Sequence, residues 1–109
     1  MFPDEPSYTI IKNILLKSHP QRCAHKFRKE ENDIILVMAE NQTLHFLNDI
    51  AGKFFLLCDG HNSVNTIIDT ILNEYDVDRS VLEDDIVELI KSMQYKRIVT
   101  INPGECFSC

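Results

Sequence analysis

Glycine is scarce, with three in 109 residues. A loop that cradles phosphate needs several glycines close together, so this route to nucleotide chemistry has no sequence to carry it. Long apolar runs are missing as well, and nothing approaches the ~20 residues of a membrane span. The opening residues Met1 to Pro6 lack the basic start and apolar core of a secretory signal. A cytoplasmic protein without a membrane partner is the expectation. Basic residues are outnumbered 11 to 17, for a net charge of −6. That balance disfavours a phosphate-backbone partner, so no nucleic acid is expected either. Only four cysteines occur, at positions 23, 58, 106 and 109, too few and too scattered for a secreted disulfide scaffold. No paired histidines stand at metal-ligand spacing, and no nucleophile motif appears.

What is present describes an ordinary globule, 44% hydrophobic and 26% charged. The length sets one domain, two at most. Three stretches divide it: an N-terminal extension over 1–19, a folded domain over 20–101 and a cysteine-containing tail over 102–109. From Ser7 to Ser18 the apolar positions Tyr8, Ile11 and Leu15 share a helical face, with Ile10 and Ile14 beside them. Pro20 stops that helix, because the residue before proline avoids the helical region. The face is expected to pack on its own domain.

Residues 22–30 suit a first strand with a wet face. The turn cluster Glu31, Asn32 and Asp33 leads to Ile34–Ala39, an apolar, β-branched second strand. Another turn gives a third strand over Thr43–Leu47. Two short turns joining three strands make an antiparallel meander. Asn48 or Asp49 can then cap a short helix carrying Ile50, Phe54, Leu57 and Cys58 at helical spacing, ended by Gly60. Ser63 opens a second helix in which Val64, Ile67, Ile68, Ile71, Leu72 and Tyr75 recur as one stripe. Ser80 with Glu83 matches a capping box for a third, with Leu82, Ile86, Leu89, Ile90 and Met93 inside. Its outer face carries Glu83, Asp84, Asp85, Glu88 and Lys91. Ile98–Ile101 is a last short strand. The fold class is therefore α+β: a three-stranded antiparallel sheet followed by three helices, as in a winged helix-turn-helix, with an extra N-terminal helix.

Chemistry has few places to sit. Cys106 and Cys109 could chelate a metal or form a redox pair, but a closed zinc site needs about four ligands. Two incidental thiols in a tail are the plainer reading. Cys58 and Cys23 read as small hydrophobes. Asp84, Asp85 and Glu88 gather on one helix surface, where acids near a helix start complement its dipole. No enzyme, no cofactor and no metal site is expected.

The third strand is the remaining candidate. At a sheet edge its unpaired N–H and C=O groups can take in an extended peptide as an added strand. The third helix would form the opposite wall. Leu44 and Phe46 compete with His45 and Leu47 for the inner face, and the pattern alone leaves that open.

Several pieces in register then resemble a known family. They are Phe46, Leu47, Asn48, Asp49, Ile50 and Ala51; Leu56 to Gly60; Ser63, Val64 and Ile67; Tyr75, Asp76 and Val77; and Asp85, Ile86, Val87 and Ile90. Together they resemble the PqqD-like family, recognition elements for ribosomally made, post-translationally modified peptides. The resemblance covers residues 20–101. It implies a winged-helix-like domain that catalyses nothing, binds the leader of a precursor peptide and presents it to a modifying enzyme, often a radical-SAM protein. Carried over by position, the peptide wall is Thr43, Leu44, His45 and Phe46. The helix wall is the exposed part of the third helix, notably Asp84, Asp85, Val87, Glu88 and Lys91. The N-terminal helix and the cysteine tail are additions to the short family members, available for docking the enzyme or for a homodimer. A DNA-binding winged helix is the alternative, with a structural subunit that dimerises through its first helix as another. The four acids on the outer face of the third helix argue against reading DNA there.

Overall fold

The structure, a computed structural model, describes residues 5–23, 26–31, 35–39 and 42–101. Helix α1 runs Glu5–Lys17, followed by strands β1 (Gln21–Arg22), β2 (Lys26–Lys29), β3 (Ile35–Met38) and β4 (Leu44–Leu47). Helices α2 (Asp49–Leu57), α3 (Val64–Glu74) and α4 (Arg79–Tyr95) come next, and β5 (Val99–Thr100) closes the described chain. The class is α+β, with β2-β3-β4 as an antiparallel three-stranded sheet. No helix among the described residues is long and apolar enough to cross a membrane.

Local chemistry sets the helix starts. Asn48 stays extended and its side chain accepts from the Ala51 amide at 2.9 Å. Ser63 does the same for Thr66 at 3.1 Å. These caps satisfy donors that the first helical turn leaves without an internal partner. Phe54 and Phe55 of α2 are fully buried, as are Val64, Ile67, Ile68 and Ile71 of α3. They meet Ile35 and Val37 of β3 and Ile86, Val87, Ile90 and Met93 of α4 in one core. α2 lies so close to β3 that a Cβ on Gly52 would come within 2.7 Å of Ile35 Cγ1.

The Cys58-Asp59-Gly60 run is a joint and not a reactive site. α2 ends at Leu57 with Cys58 as its C-cap, so Gly60 lies beyond the helix end instead of stopping it. Cys58 is buried and its thiol donates to the Phe54 carbonyl. Burial pushes that thiol's pKa well up, against a smaller opposing pull from Arg22. The Asp59 carboxylate accepts from the amides of His61 and Asn62 at 2.8 and 2.9 Å. Those two bonds, Asn62's the larger, hold its pKa below the ordinary carboxylate value. Gly60 takes φ +83 and donates its amide to the Pro20 carbonyl.

Three further expectations change. The single strand over residues 22–30 is two: β1 leaves the main sheet to pair with β5, and only β2 joins β3. The capping box at Ser80 and Glu83 does not form. α4 starts earlier, with Asp78 at its N-cap, and Glu83 is drawn to the cations Arg79 and Lys12. The helix α1 packs on the domain as expected through Tyr8 and Leu15, but its face is rotated so that Leu16 joins them and Ile11 does not. Leu15 and Leu16 are buried, while Ile10, Ile11 and Ile14 are exposed. Cys106 and Cys109 lie outside the described residues.

The turn before β4 carries strain. Gln42 adopts φ +69, its amide donates to Ala39, and Ala39 donates to Thr43. A residue with a Cβ is disfavoured there by ~1–2 kcal/mol, offset partly by the entropy glycine loses on folding. Gln42→Gly should therefore stabilise the domain by up to about 1 kcal/mol. A raised urea midpoint at unchanged slope would register it.

Candidate functional site: an open sheet edge

β3 is central, so the sheet has two edges, β2 and β4. They differ in chemistry. β2 reads Lys26, Phe27, Arg28, Lys29, three cations on four residues. Charge of that kind, lysine above all, is how natural edges repel added strands. β4 reads Leu44, His45, Phe46, Leu47, with no formal charge, no proline and no bulge within it. Leu44 is 56% exposed and Phe46 71%.

The register says which groups of β4 are available. β3 and β4 pair Ile35 with Leu47, Leu36 with Phe46, Val37 with His45 and Met38 with Leu44. The Ala39 amide donates to Thr43 at 2.9 Å in the same register. In an antiparallel ladder, hydrogen-bonded and non-bonded pairs alternate. His45 and Leu47 therefore direct their backbone groups toward β3, and Leu44 and Phe46 direct theirs to the open edge. Two N–H donors and two C=O acceptors face outward there.

The ambiguity over faces is resolved by the same register. Leu47 lies beside buried Ile35, and half-buried His45 beside buried Val37, on the core side. Leu44 and Phe46 stand on the outer face beside half-buried Met38 and Leu36. Lys26 and Arg28 continue those two rows on β2. A depression of about 360 Å³ is lined by Lys26, Phe27, Arg28, Leu36, Met38 and Leu44. Thr43 is exposed, and its hydroxyl lies 2.9 Å from His45 Nε2.

The expected helix wall is engaged elsewhere. Asp84 accepts from the Tyr8 hydroxyl and from Lys12 Nζ, both at 2.9 Å. Lys12 also reaches Glu83 at 3.4 Å, and Lys91 Nζ sits 6.0 Å from the Tyr8 ring centre. Lys12, then Tyr8, holds the Asp84 carboxyl below its ordinary pKa, while the bond to Asp84 raises that of Lys12. This latch is present at neutral pH. It weakens as acid protonates Asp84 on falling pH, and as Lys12 loses its proton on strongly rising pH.

Val87 is not part of the exposed wall. It was expected among exposed positions and is fully buried. Glu83, Val87 and Lys91 form one i, i+4, i+8 line, and α1 engages both its ends. Asp85 and Glu88 are exposed, with Glu88 3.7 Å from Lys91. Among the described residues, no hydrogen bond or ion pair joins Leu44, His45 or Phe46 to α4. The structure thus unites the strand residues on one edge and gathers Asp84 and Lys91 around α1. The role of α1 was invisible in the pattern, because Tyr8 and Lys12 reach Asp84 across more than 70 positions.

Residues 33–99 match the family described as Coenzyme PQQ synthesis protein D (PqqD). The chain is 31% identical over 85 residues to a PqqA binding protein of Rhodopseudomonas palustris strain HaA2, covering 77% of this chain and 83% of that one. It is 36% identical over 53 residues to the PqqA binding protein of strain BisB5, covering 49% of this chain and 52%, about half, of that protein. Among solved structures it is similar to TbiB1 in complex with the TbiA(beta) leader peptide. The TM-score is 0.61 and the identity 19%, over 68% of this chain and 86% of that one.

Proposed function

The chain belongs to the PqqD family, and from that premise we propose that it is a non-catalytic chaperone that captures the leader of a ribosomal precursor peptide by strand addition. The guest pairs with β4 through the outward N–H and C=O groups of Leu44 and Phe46. The observation that carries this reading is the contrast between edges: β2 bears three cations, whereas β4 bears none and exposes Leu44 and Phe46. Relatives named for binding PqqA, and a fold shared with a protein solved with a leader peptide, support it.

Backbone pairing gives affinity and the flanking side chains give selectivity. Thr43 and His45 shape the approach, and Asp85 and Glu88 are the acids of α4 left open to a guest. Asp84 and Lys91 are exposed but tied to α1 through Lys12 and Tyr8. The captured leader is then presented to a modifying enzyme, of which a radical-SAM protein is one kind. The exposed ridge of Ile10, Ile11 and Ile14 on α1 is the docking element we assign to that enzyme. A second copy of the chain is the other partner considered. The protein works in the cytoplasm on this reading.

Phe46→Asp should weaken leader binding about tenfold or more, equivalent to ~1.4 kcal/mol, and leave the circular dichroism spectrum unchanged. The probe is a synthetic PqqA peptide, the partner for which the relatives are named, titrated calorimetrically. Equal affinities for mutant and wild type would remove β4 from the site.

A further inference from the structure

An unguarded edge is a template for its own kind as well as for a guest. β4 meets three conditions for pairing with itself. It carries no formal charge, it exposes Leu44 and Phe46 on one face, and both residues aim their backbone groups outward. We infer that, without a guest, β4 pairs antiparallel with β4 of a second copy about a two-fold axis normal to the sheet, and that peptide and second copy compete for this edge. The competition rests on the function proposed above; the self-pairing does not.

Geometry narrows the registers. Opposed residues in an antiparallel pair share a face, and alternate residues of one strand share a face. The axis must therefore pass a residue opposed to itself. Centred on His45, it sets Leu44 against Phe46 of the partner subunit, twice. Centred on Phe46, it sets the two Phe46 rings side by side. Either way the outer rows of Leu36, Met38, Leu44 and Phe46 join into one apolar stripe across the four inner strands, flanked by Lys26 and Arg28 of each β2.

The opposite edge decides where growth stops. In the joined sheet both outermost strands are β2, each with Lys26, Arg28 and Lys29. Those cations resist further strand addition, so the assembly closes at two copies as an isologous dimer and does not run on as a filament. A four-residue strand cannot bury the ~800 Å² per partner of a standard interface. The dimer is accordingly weak and exchanges readily, which suits an edge that must open for a longer guest.

Sedimentation velocity on the full chain, from low micromolar to millimolar, tests this. The expected result is a concentration-dependent passage from monomer to dimer with nothing larger. Phe46→Lys, at an exposed position, should abolish the dimer by setting a lysine against its own copy in one register and against Leu44 of the partner subunit in the other, and Leu44→Pro should do so by removing an outward donor. Lys26→Glu, on the far edge, should leave dimerisation intact. A synthetic peptide spanning Gln42 to Asn48 should return the dimer to monomer. A wild type that stays monomeric at millimolar concentration overturns the inference. So does a Phe46→Lys variant that dimerises like wild type, and so does a species larger than two. If the dimer forms but the precursor leader neither binds nor dissociates it, the self-pairing stands and the proposed function falls.

Discussion

Leu44→Pro should leave the domain folded and cost about tenfold or more in leader affinity, equivalent to ~1.4 kcal/mol, while His45→Pro, one residue along, should destabilise the fold itself. The asymmetry comes from the ladder. Leu44 opens β4, and its N–H points away from β3, the position where a strand tolerates proline. A proline there removes one donor from the open edge and sets its ring against any incoming strand. The His45 N–H is committed to the β3 ladder, opposite Val37. Losing it leaves a carbonyl in the middle of the sheet without its donor, at a cost of about 1–3 kcal/mol. Thermal melts followed by circular dichroism separate the two variants, and calorimetric titration of the folded one reads capture. Undiminished binding by Leu44→Pro would mean that the guest does not use this backbone. That result would differ from failure of a side-chain substitution, because it isolates main-chain pairing from surface chemistry.

The parts of the fold that were legible in the sequence are those decided within a few residues. Asn48 and Ser63 cap α2 and α3 by bonds three residues long. The stripe through Val64, Ile67, Ile68 and Ile71 needs only helical periodicity, and all four are buried. Three strands joined by short turns gave the meander, and the last short strand formed as β5. What escaped was set by distant partners. Gln21 and Arg22 leave the main sheet because β5 returns some 77 positions later to pair with them. Ser80 sits beside an acid where a cap looked natural, but Arg79 and Lys12 claim Glu83. Val87 reads as a surface residue in the helical pattern but joins the core, on the line whose ends Glu83 and Lys91 meet Lys12 and Tyr8 of α1. The face of β4 was unreadable for another reason. Three of its four residues are apolar on alternating sides, so burial next to Ile35 and Val37 had to decide it. The candidate edge itself was legible as a segment; its openness was not, since that depends on nothing in the described chain pairing beyond it.

Phe55→Ala should be the most damaging single truncation for the support of that edge. Phe55 is fully buried, stacks edge-on with Phe27 of β2 at 5.1 Å between ring centres, and lies 5.9 Å from the Arg22 guanidinium. Arg22 in turn donates to the Leu56 carbonyl at 2.7 Å, so one ring ties α2, β1 and β2 together. Removing a buried phenylalanine costs about 3–5 kcal/mol, a large part of the ~5–15 kcal/mol that a domain has in total. For a domain of this size the melting temperature should fall by roughly 12 °C or more. Phe27 shares a cross-strand row with Val37 and His45. The cavity therefore opens beneath the middle of the sheet, and β4, two strands away, loses its rigid backing. Leader affinity should drop along with stability, even below the melting temperature, because a strand that must first be ordered charges that entropy against binding. Thermal melts and titrations well below the midpoint measure both. A variant that loses its stability but binds as tightly as wild type would show that β4 holds its geometry without support from α2.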